Sequence, residues 1–463
     1  MNSLVDYDDS DSEEVLPGKN DSSPESEEEK KQRKSRFILN SHLHYDKDKT
    51  ALCAASSVPS NHASHSWRHQ RTTEYTQQPS SFPAVQSSKR HQPIPAGLRP
   101  YVSKKQKLTT PTESAELNKE GSSSSQVSDV HHFSELSDRI RPFLGTKKVK
   151  RQLPRYVQHH LQAHKGPVNT VQWCPVPHLS HLLLSASMDK TFKVWDGAES
   201  GRCLQTYSIH SGAVRDVCWL PCGQRLLSGS FDNAVAVTDV ETGQIVTKVE
   251  NQFKVSCLAF QPSDPSVVLC GGFSPEVKAW DFRSGNMVST YRAGIQQTLD
   301  ILFLGEGKEF VTSTDAVSRD SADRTLIAWD FRTTAKVSNQ IFHERYTCPS
   351  LTLFQNEDSF AAQTNGNYIA IFSAQKPYPM NKRKRFEGHK VEGYAVQCEF
   401  SSDGAILASG SCTGSLHFYD VQSARSLLRL HAHQQACVSL SLHPVLPSVV
   451  ATCDWEGEIK IWS

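Results

Sequence analysis

The chain lacks the features that would place it in several large classes of protein. It has no apolar run near the roughly 18 residues that a membrane-spanning helix needs, and its start, MNSLVDYDDS, has neither the basic nor the apolar region of a secretory signal. Lys and Arg (50) nearly balance Asp and Glu (49), so overall charge does not make it a nucleic-acid or membrane binder. None of its 12 cysteines forms a CxxC pair. We therefore expect reduced thiols in an intracellular protein.

Residues 1–130 have few clustered hydrophobic residues and are rich in Ser, Glu, Lys, Gln and Pro. Such a composition cannot bury enough apolar area to offset the entropy of ordering, which predicts a disordered tail. Three serines precede acidic residues and are candidates for acidophilic phosphorylation: Ser10, Ser12 and Ser26. Three basic clusters fit nuclear import signals: 30–36, 104–107 and 147–151. The alternative is a solvated tail that no specific protein reads.

A linker is predicted over residues 131–153, between the tail and the rest of the chain. Within it, Phe133, Leu136, Ile140 and Phe143 fall at helical spacing in HHFSELSDRIRPFLG. This spacing indicates a short helix that docks through one apolar face.

A repeated unit occupies residues 154–463, where short apolar or alternating runs are separated by Gly, Pro, Asp and Asn. Such a pattern is typical of many short strands. Seven positions close a run of the same shape and recur every 42 to 49 residues: Trp195, Thr238, Trp280, Trp329, Phe372, Tyr419 and Trp462. A unit of this length has two apolar faces that only neighbouring units can bury. Seven such units predict an all-β, seven-bladed β-propeller.

The two ends of such a ring must be joined, because free sheet edges invite unwinding or aggregation. The last unit stops at EIKIWS and lacks an outermost strand, while RYVQHHLQAH at 155–164 matches the outer strand RCLQTYSIH at 202–210. We expect residues 155–161 to complete the seventh blade beside residues 459–462.

The stretch SASMDKTFKVWDG contains three of four residues that we expect to form one network. Asp189 lies in a tight turn, Ser185 precedes it by four residues, Trp195 follows it by six, and His164 enters from the loop before the unit. A buried indole N–H and a buried imidazole each need a partner, and a hydroxyl with a turn carboxylate supplies the acceptors. The network would join three strands and a loop.

This pattern resembles the WD-repeat family of seven-bladed propellers, whose structural tetrad has His, Ser or Thr, Asp and Trp in these roles. The resemblance implies partial tetrads elsewhere. The second unit has His210, Ser228 and Asp232 with Thr238 at the Trp place, and the seventh has His433, Thr452, Glu456 and Trp462. The third and sixth units are degraded, with Ser274 at the acid place beside Trp280, and with His389 and Ser409 beside Thr413 and Tyr419.

A Ser/His/Asp hydrolase made of His164, Ser185 and Asp189 is the rival interpretation. It is disfavoured because a nucleophile needs an exposed hydroxyl beside an oxyanion pocket, whereas Ser185 is predicted within a strand. His159 with His160, and Cys218 with Cys222, lack a second ligand pair at finger-like spacing, so buried packing is the default interpretation. We predict no catalytic residue, no metal, no cofactor and no small-molecule substrate.

Candidate partner-binding residues come from two segments that depart from the repeat. STDAVSRDSADRTLIAWD inserts extra residues that would lift Arg319, Asp320 and Asp323 above one face; the alternative is a tolerated surface insertion. KPYPMNKRKRFEGHK carries a basic run of Lys382, Arg383, Lys384 and Arg385. The run would suit RNA phosphate or an acidic partner, but we prefer an outermost strand charged to block edge pairing.

A second resemblance is to the pre-mRNA-processing factor 17 group of WD proteins. It rests on GHKVEGYA at 388–395, on STDAVSRDSADRTLIAWDFR at 313–332 and on a low-complexity segment before seven repeats. The resemblance implies a non-catalytic spliceosomal component that supports the second chemical step. We accordingly expect a nuclear interaction scaffold with spliceosomal protein partners, and direct contact with RNA stays open.

Two units end in AWDFR, which places Arg283 and Arg332 shortly after a Trp-Asp pair. These endings resemble the signature of WD proteins that are substrate receptors of cullin-RING ubiquitin ligases, in which an exposed Arg would pair with an adaptor carboxylate. The alternative is a local ion pair of small energetic value.

Overall fold

The computed structural model describes residues 133, 136–145, 151–315, 324–354 and 357–463. The tail predicted over residues 1–130, with its candidate phosphorylation sites, lies outside the described residues. Of the three basic clusters, only Arg151 is described. In the part of the chain that is described, no helix has the length and apolar character needed to cross a membrane.

Almost all regular structure in the described residues is β-strand. The strands are β1 Val157–Gln162, β2 Val168–Trp173, β3 Leu182–Ser187, β4 Phe192–Asp196, β5 Cys203–Tyr207, β6 Val214–Trp219, β7 Arg225–Ser230, β8 Ala234–Asp239, β9 Ile245–Glu250, β10 Val255–Phe260, β11 Val267–Gly272, β12 Glu276–Asp281, β13 Asn286–Arg292, β14 Thr298–Leu304, β15 Glu309–Thr314, β16 Leu326–Asp330, β17 Lys336–Ser338, β18 Ser350–Phe354, β19 Ser359–Thr364, β20 Tyr368–Ser373, β21 Met380–Glu387, β22 Cys398–Phe400, β23 Ile406–Ser409, β24 Ser415–Asp420, β25 Ser426–His431, β26 Cys437–Leu442, β27 Val450–Asp454 and β28 Glu458–Trp462. Two 3-10 turns, Arg141–Phe143 and Pro177–Leu179, are the only helical elements among the described residues.

The strands form seven antiparallel, four-stranded sheets. Blades one to six are β2–β5, β6–β9, β10–β13, β14–β17, β18–β21 and β22–β25, and blade seven has the order β26-β27-β28-β1. The innermost strands of successive blades contact one another, and β26 of blade seven contacts β2 of blade one. The predicted seven-bladed propeller is confirmed.

The ring is closed by pairing between the two ends of the repeat region. Val157 in β1 lies opposite Trp462 in β28, in an antiparallel ladder that confirms the expected completion of the seventh blade. Where β1 ends, the carbonyl of Gly457 accepts the N–H of His164 at 3.1 Å. Gly457 has a φ of +106°, and a Cβ there would lie 2.4 Å from the carbonyl oxygen of His164. Only glycine fits this close approach.

Burial explains why the blades need one another. All six residues of β3, β11 and β19 are buried, whereas outer strands such as β5 and β9 are largely accessible. Inner-strand tryptophans also donate across blade boundaries: Trp173 Nε1 to the carbonyl of Ser441 (3.1 Å) and Trp219 Nε1 to the carbonyl of Gln172 (3.2 Å). Each blade therefore supplies both apolar area and hydrogen-bond acceptors to its neighbour.

Three acidic side chains on inner strands line the central channel and join successive blades. Each accepts a backbone N–H from the following inner strand: Asp216 from Leu258 (2.8 Å), Asp300 from Leu351 (2.6 Å) and Glu399 from Leu442 (2.8 Å). Burial raises the pKa of Asp216 to about 6 and the pKa values of Asp300 and Glu399 to about 7. These hydrogen bonds therefore hold blade boundaries in a partly desolvated channel.

The docking helix predicted around residues 133–143 is wrong. Residues 136–145, which we call the strap, contain a single 3-10 turn, Arg141–Phe143, and Pro142 in that turn has no N–H to continue a helix. Phe133 is buried with blades one and two, whereas Ile140 is buried with blades seven and one. The apolar side chains therefore have two separate binding positions rather than one helical face.

The strap is also held by polar contacts across the seam between blades seven and one. Arg139 donates to the carbonyl of Ala198 in blade one (2.8 Å) and to the hydroxyl of Ser463 beyond β28 (3.0 Å). Further along, Arg151 donates to the carbonyls of His443 (2.6 Å) and Leu446 (2.7 Å). Residues assigned to the linker are thus part of the packed propeller.

Candidate protein-interaction face

In blade one, the four predicted tetrad side chains form one hydrogen-bonded network. Trp195 Nε1 donates to Ser185 Oγ (2.9 Å), and His164 Nε2 lies 2.8 Å from the same hydroxyl. His164 Nδ1 lies 3.0 Å from Asp189 Oδ2, which also accepts the backbone N–H of Lys165 (3.1 Å). The network fixes the turn between β3 and β4 against the loop that precedes β2.

The pKa shifts of His164 and Asp189 fit a structural role for this network. Burial lowers the pKa of His164, which favours the neutral imidazole. Burial acts to raise the pKa of Asp189, but hydrogen bonds from His164 and Thr191 outweigh it and hold that pKa well below its usual range. Ser185 is completely buried and its hydroxyl accepts from the indole, so these residues do not present the exposed nucleophile that the rival hydrolase needs.

Blade two has the same arrangement without the indole. His210 lies 2.9 Å from Ser228 Oγ and 3.0 Å from Asp232 Oδ2. Thr238 occupies the Trp place and is buried, and its hydroxyl has no hydrogen-bond partner among the described residues. The turn between β7 and β8 is therefore held by three of the four tetrad groups.

Blade seven differs from the sequence prediction at the acid. His433 Nε2 lies 2.9 Å from Thr452 Oγ1, to which Trp462 Nε1 donates at 2.9 Å. The predicted acid, Glu456, is exposed at the tip of the turn, and Asp454 at the end of β27 instead lies 3.5 Å from the imidazole. The acid beside His433 is therefore Asp454, which is buried before the turn, and not Glu456 in the turn.

Three of the four remaining blades, the third, fourth and sixth, have a single contact in place of the tetrad. Trp280 donates to Asn251 (2.9 Å), Trp329 donates to Thr312 (2.9 Å), and His389 lies 2.9 Å from the hydroxyl of Tyr419 rather than against Ser409. Each of these contacts still orients the third strand or the loop before the blade. The turns on this face are therefore positioned even where the repeat is degraded.

A half-open cavity of about 240 Å³ lies at the centre of the face that these turns form. Four half-buried aromatic residues contribute to its lining, and we call them the aromatic rim: Phe231, Phe273, Tyr394 and Trp455. Phe231 and Phe273 pack edge to face at 5.5 Å between ring centroids, as do Tyr394 and Trp455 at 5.5 Å. Accessible aromatic side chains at a cavity mouth are typical of binding surfaces.

The sequence prediction missed the aromatic rim, although the repeat contains a signal for part of it. In six blades the residue immediately after the second strand lines this cavity: Met188, Phe231, Phe273, Asp315, Asn365 and Trp455. Turns are usually polar, so two phenylalanines and a tryptophan at one repeated turn position indicate a contact surface.

Arg319 and Asp320, the candidate residues in the blade-four insertion, lie outside the described residues. Asp315, the last described residue before them, lines the cavity. The residue from which the insertion continues therefore lies at the candidate face.

The basic run is on a different surface. Lys382, Arg383, Lys384 and Arg385 belong to β21, the outermost strand of blade five. Arg385 pairs with Glu344, and its guanidinium lies over an aromatic ring, 4.3 Å from the centroid of Tyr368. Lys382, Arg383 and Lys384 form no ion pair with another described residue, and the first two are exposed. This location is the one that the edge-protection interpretation requires.

The two AWDFR arginines differ in their surroundings. Arg283 forms ion pairs with Asp264 (3.0 Å) and Asp281 (3.2 Å). These are the local ion pairs that were expected if this arginine does not bind an adaptor. Arg332 is exposed and lines a groove together with Phe331. The structure does not bring the two arginines into a common hydrogen-bonded site.

Comparison with known proteins gives a family match within the repeat region and several similar proteins. The family model WD40 (WD domain, G-beta repeat) matches residues 155–196, 201–239, 380–420 and 424–463. The chain is 58% identical over 327 residues to "WD repeat-containing protein 25" of Mus musculus, covering 71% of this chain and 61% of the relative. It is 33% identical over 312 residues to "Pre-mRNA-processing factor 17" of Homo sapiens, covering 67% and 52%.

A third relative is covered over most of its own length. The chain is 38% identical over 321 residues to "Guanine nucleotide-binding protein subunit beta" of Oryza sativa subsp. japonica, covering 65% of this chain and 82% of the relative. By contrast, the chain spans only about half to three fifths of the length of the first two relatives. The similarity therefore covers part of those two proteins and not their whole length.

Proposed function

Because the chain belongs to the WD-repeat family, we propose that it is a non-enzymatic nuclear scaffold that binds protein components of the pre-mRNA splicing machinery. The observation that carries the proposal is the aromatic rim around the face cavity, which offers partially exposed rings on a rigid support. Similarity to pre-mRNA-processing factor 17 supports the choice of process.

The chemistry of the rim favours a partner segment with one bulky apolar side chain. The cavity is lined mainly by apolar surface, with Arg215, Asp315 and Glu392 as charged groups around it. An apolar anchor could enter between the aromatic pairs, while its backbone and polar neighbours meet the charged groups. Aromatic residues in such positions commonly carry most of the binding energy of a protein interface.

A purification experiment tests this proposal. The tagged full-length chain is recovered from nuclear extract, with and without nuclease treatment, and the accompanying proteins are identified by mass spectrometry. We expect splicing proteins in both samples and a nuclear location by microscopy. The double variant Phe231→Ala/Phe273→Ala should lose them, whereas Met287→Ala, which changes an exposed residue of outer strand β13, should keep them.

Other outcomes would contradict specific parts of the proposal. Recovery only without nuclease would mean that RNA bridges the proteins, and unchanged recovery with the rim variant would exclude the rim as the docking surface. An absence of splicing proteins from both samples would reject the splicing role.

A cullin-ligase substrate receptor is the second candidate, favoured by the exposure of Arg332 beside a groove. The same purification separates the two. A ligase adaptor that is recovered with the parent chain and lost with Arg283→Ala/Arg332→Ala would support the receptor. Splicing proteins that are retained by that variant would support the scaffold.

A further inference from the structure

Three potential metal ligands converge at the closing blade. His433 precedes β26, Asp454 ends β27 and Glu458 begins β28. One nitrogen or oxygen atom from each residue lies within 4.8 Å of the other two, and this is the only such group of three among the described residues. At the corresponding positions of blade one, which are set by aligning Ser185 with Thr452, the chain has Ser187 and Thr191 instead of the two carboxylates.

The distances differ from those of the other tetrads. His433 Nδ1 lies 3.5 Å from Asp454 Oδ2 and 3.5 Å from Glu458 Oε2, whereas the corresponding His–Asp contacts of blades one and two are 3.0 Å. His433 and Asp454 are each only 1% exposed. Neither His433 Nδ1 nor Asp454 Oδ2 has a hydrogen-bond partner within the described structure.

These separations match the ligands of one tetrahedral ion. Zn²⁺ binds histidine nitrogen and carboxylate oxygen at about 2.0–2.2 Å, which places two ligand atoms of a tetrahedron about 3.3–3.6 Å apart. The same separations are long for hydrogen bonds. A buried nitrogen and a buried carboxylate oxygen without partners are also costly, and a shared cation would satisfy both.

The remaining polar atoms of the three residues are held by the fold. His433 Nε2 contacts Thr452 (2.9 Å), Asp454 Oδ1 accepts the N–H of Glu456 (3.0 Å) and Glu458 Oε1 lies 2.9 Å from His160. Such outer contacts orient metal ligands and fix which atom faces the ion. His433 Nδ1 is thus the atom that both Asp454 Oδ2 and Glu458 Oε2 approach, each at 3.5 Å.

We propose that His433, Asp454 and Glu458 bind one divalent transition-metal ion of the Zn²⁺ type at the seam of the propeller. The ion joins the loop before β26, the end of β27 and the start of β28. Glu458 also contacts His160 of β1, so the ion is linked to the strand that closes the ring. A water molecule would supply a fourth ligand.

Lys460 limits the affinity of this site. Its ammonium lies 3.2 Å from Glu458 Oε2 and donates to the carbonyl of Ala432 (2.9 Å). A bound divalent ion and this ammonium would repel each other. Lys460→Gln removes that repulsion while retaining a hydrogen-bond donor, and it should therefore bind the ion more tightly.

The test is equilibrium dialysis of the full-length chain against Zn²⁺, followed by metal analysis and thermal unfolding. The parent chain should bind one more equivalent than Asp454→Asn and should gain thermal stability that this variant does not gain. Asn at 454 keeps the oxygen that accepts the turn N–H groups. Asp189→Asn, which changes the acid beside the histidine of blade one, should still bind this equivalent of Zn²⁺ and show the same thermal gain.

Two further variants keep the result independent of folding defects. Glu458→Gln retains an acceptor for β1. Its affinity for Zn²⁺ should be lower than that of the parent chain by more than about 100-fold, since even residues that only orient ligands change metal affinity 10- to 100-fold. Lys460→Gln should strengthen it. Co²⁺ in place of Zn²⁺ should give the visible absorption of a tetrahedral nitrogen–oxygen site. Equal Zn²⁺ binding by the parent, Asp454→Asn and Glu458→Gln proteins, all folded by circular dichroism, would overturn the proposal.

Discussion

The indole of Trp195 donates to the hydroxyl of Ser185 at 2.9 Å, across two neighbouring strands of blade one. The same hydroxyl lies 2.8 Å from His164 Nε2. One serine therefore serves two buried polar groups, and its removal leaves both without their partner.

Replacing this serine should cost more than replacing its counterpart in blade two. Ser185→Ala leaves an indole and an imidazole unsatisfied, so the free energy of unfolding should fall by about 2–4 kcal/mol. Ser228→Ala leaves only the imidazole of His210, because Thr238 stands at the Trp place, and should cost about 1–2 kcal/mol. Urea unfolding of both variants measures the difference. Equal losses would show that the indole contact adds nothing to stability.

Progressive truncation should separate the contributions of the tail, the strap and β1. Deletion of residues 1–130 should leave cooperative unfolding unchanged. Deletion of 1–145 removes the contacts of Ile140 and Arg139 and should lower the midpoint. Deletion of 1–162 also removes β1 and should abolish cooperative unfolding. Thermal scans with circular dichroism give the order, and equal stability of the first and last truncations would contradict the closure.

Acid should destabilise the propeller through its buried histidines. Burial lowers the pKa of His389 to about 3 and that of His417 to about 4, well below the 6.5 of an unfolded chain. The folded state binds fewer protons, so this contribution is complete above pH 6.5 and is lost as pH falls from 6.5 towards 3. Each residue contributes a slope of at most about 1.4 kcal/mol per pH unit.

The pH prediction is checked with His389→Gln/His417→Gln. Its unfolding free energy should depend less steeply on pH between 6.5 and 4 than that of the parent chain. His178→Gln changes an exposed histidine and should leave the parent slope intact. If the double variant and the parent have the same slope, the two histidines are not protonated on unfolding as their burial requires.

The basic run of β21 should protect a sheet edge. Lys382→Thr/Arg383→Thr keeps residues suited to a strand but removes two exposed charges from the outermost strand of blade five. We expect more self-association in analytical ultracentrifugation, with little change in unfolding midpoint. Binding of a single-stranded RNA should be the same for variant and parent. A clear loss of RNA affinity without self-association would favour the phosphate-binding interpretation.

The repeat period predicted the number of blades and the partner of β1. The strand-closing positions recur even in blades two and five, which have Thr238 and Phe372 at the position equivalent to Trp195. The period could not predict which carboxylate would face His433. Glu456 has the expected place in the sequence, but Asp454 at the strand end is the one whose side chain lies inside the blade.

The strap shows a second limit of pattern reasoning. Phe133 and Ile140 have helical spacing, yet each enters a different core cluster, so their burial does not require a helix. Spacing identifies side chains that will be buried, but only tertiary packing decides whether they share a face.

The pairing of β1 with β28 has a consequence for the way the protein is made. A ribosome synthesises Val157 well before its partner Trp462, and at roughly 5–20 residues per second the delay is about 15–60 s. During this time six blades are being completed while the strand that will finish the seventh has no partner. The newly made chain must therefore keep this strand out of wrong pairings, and the last residues of β28 decide when the ring closes.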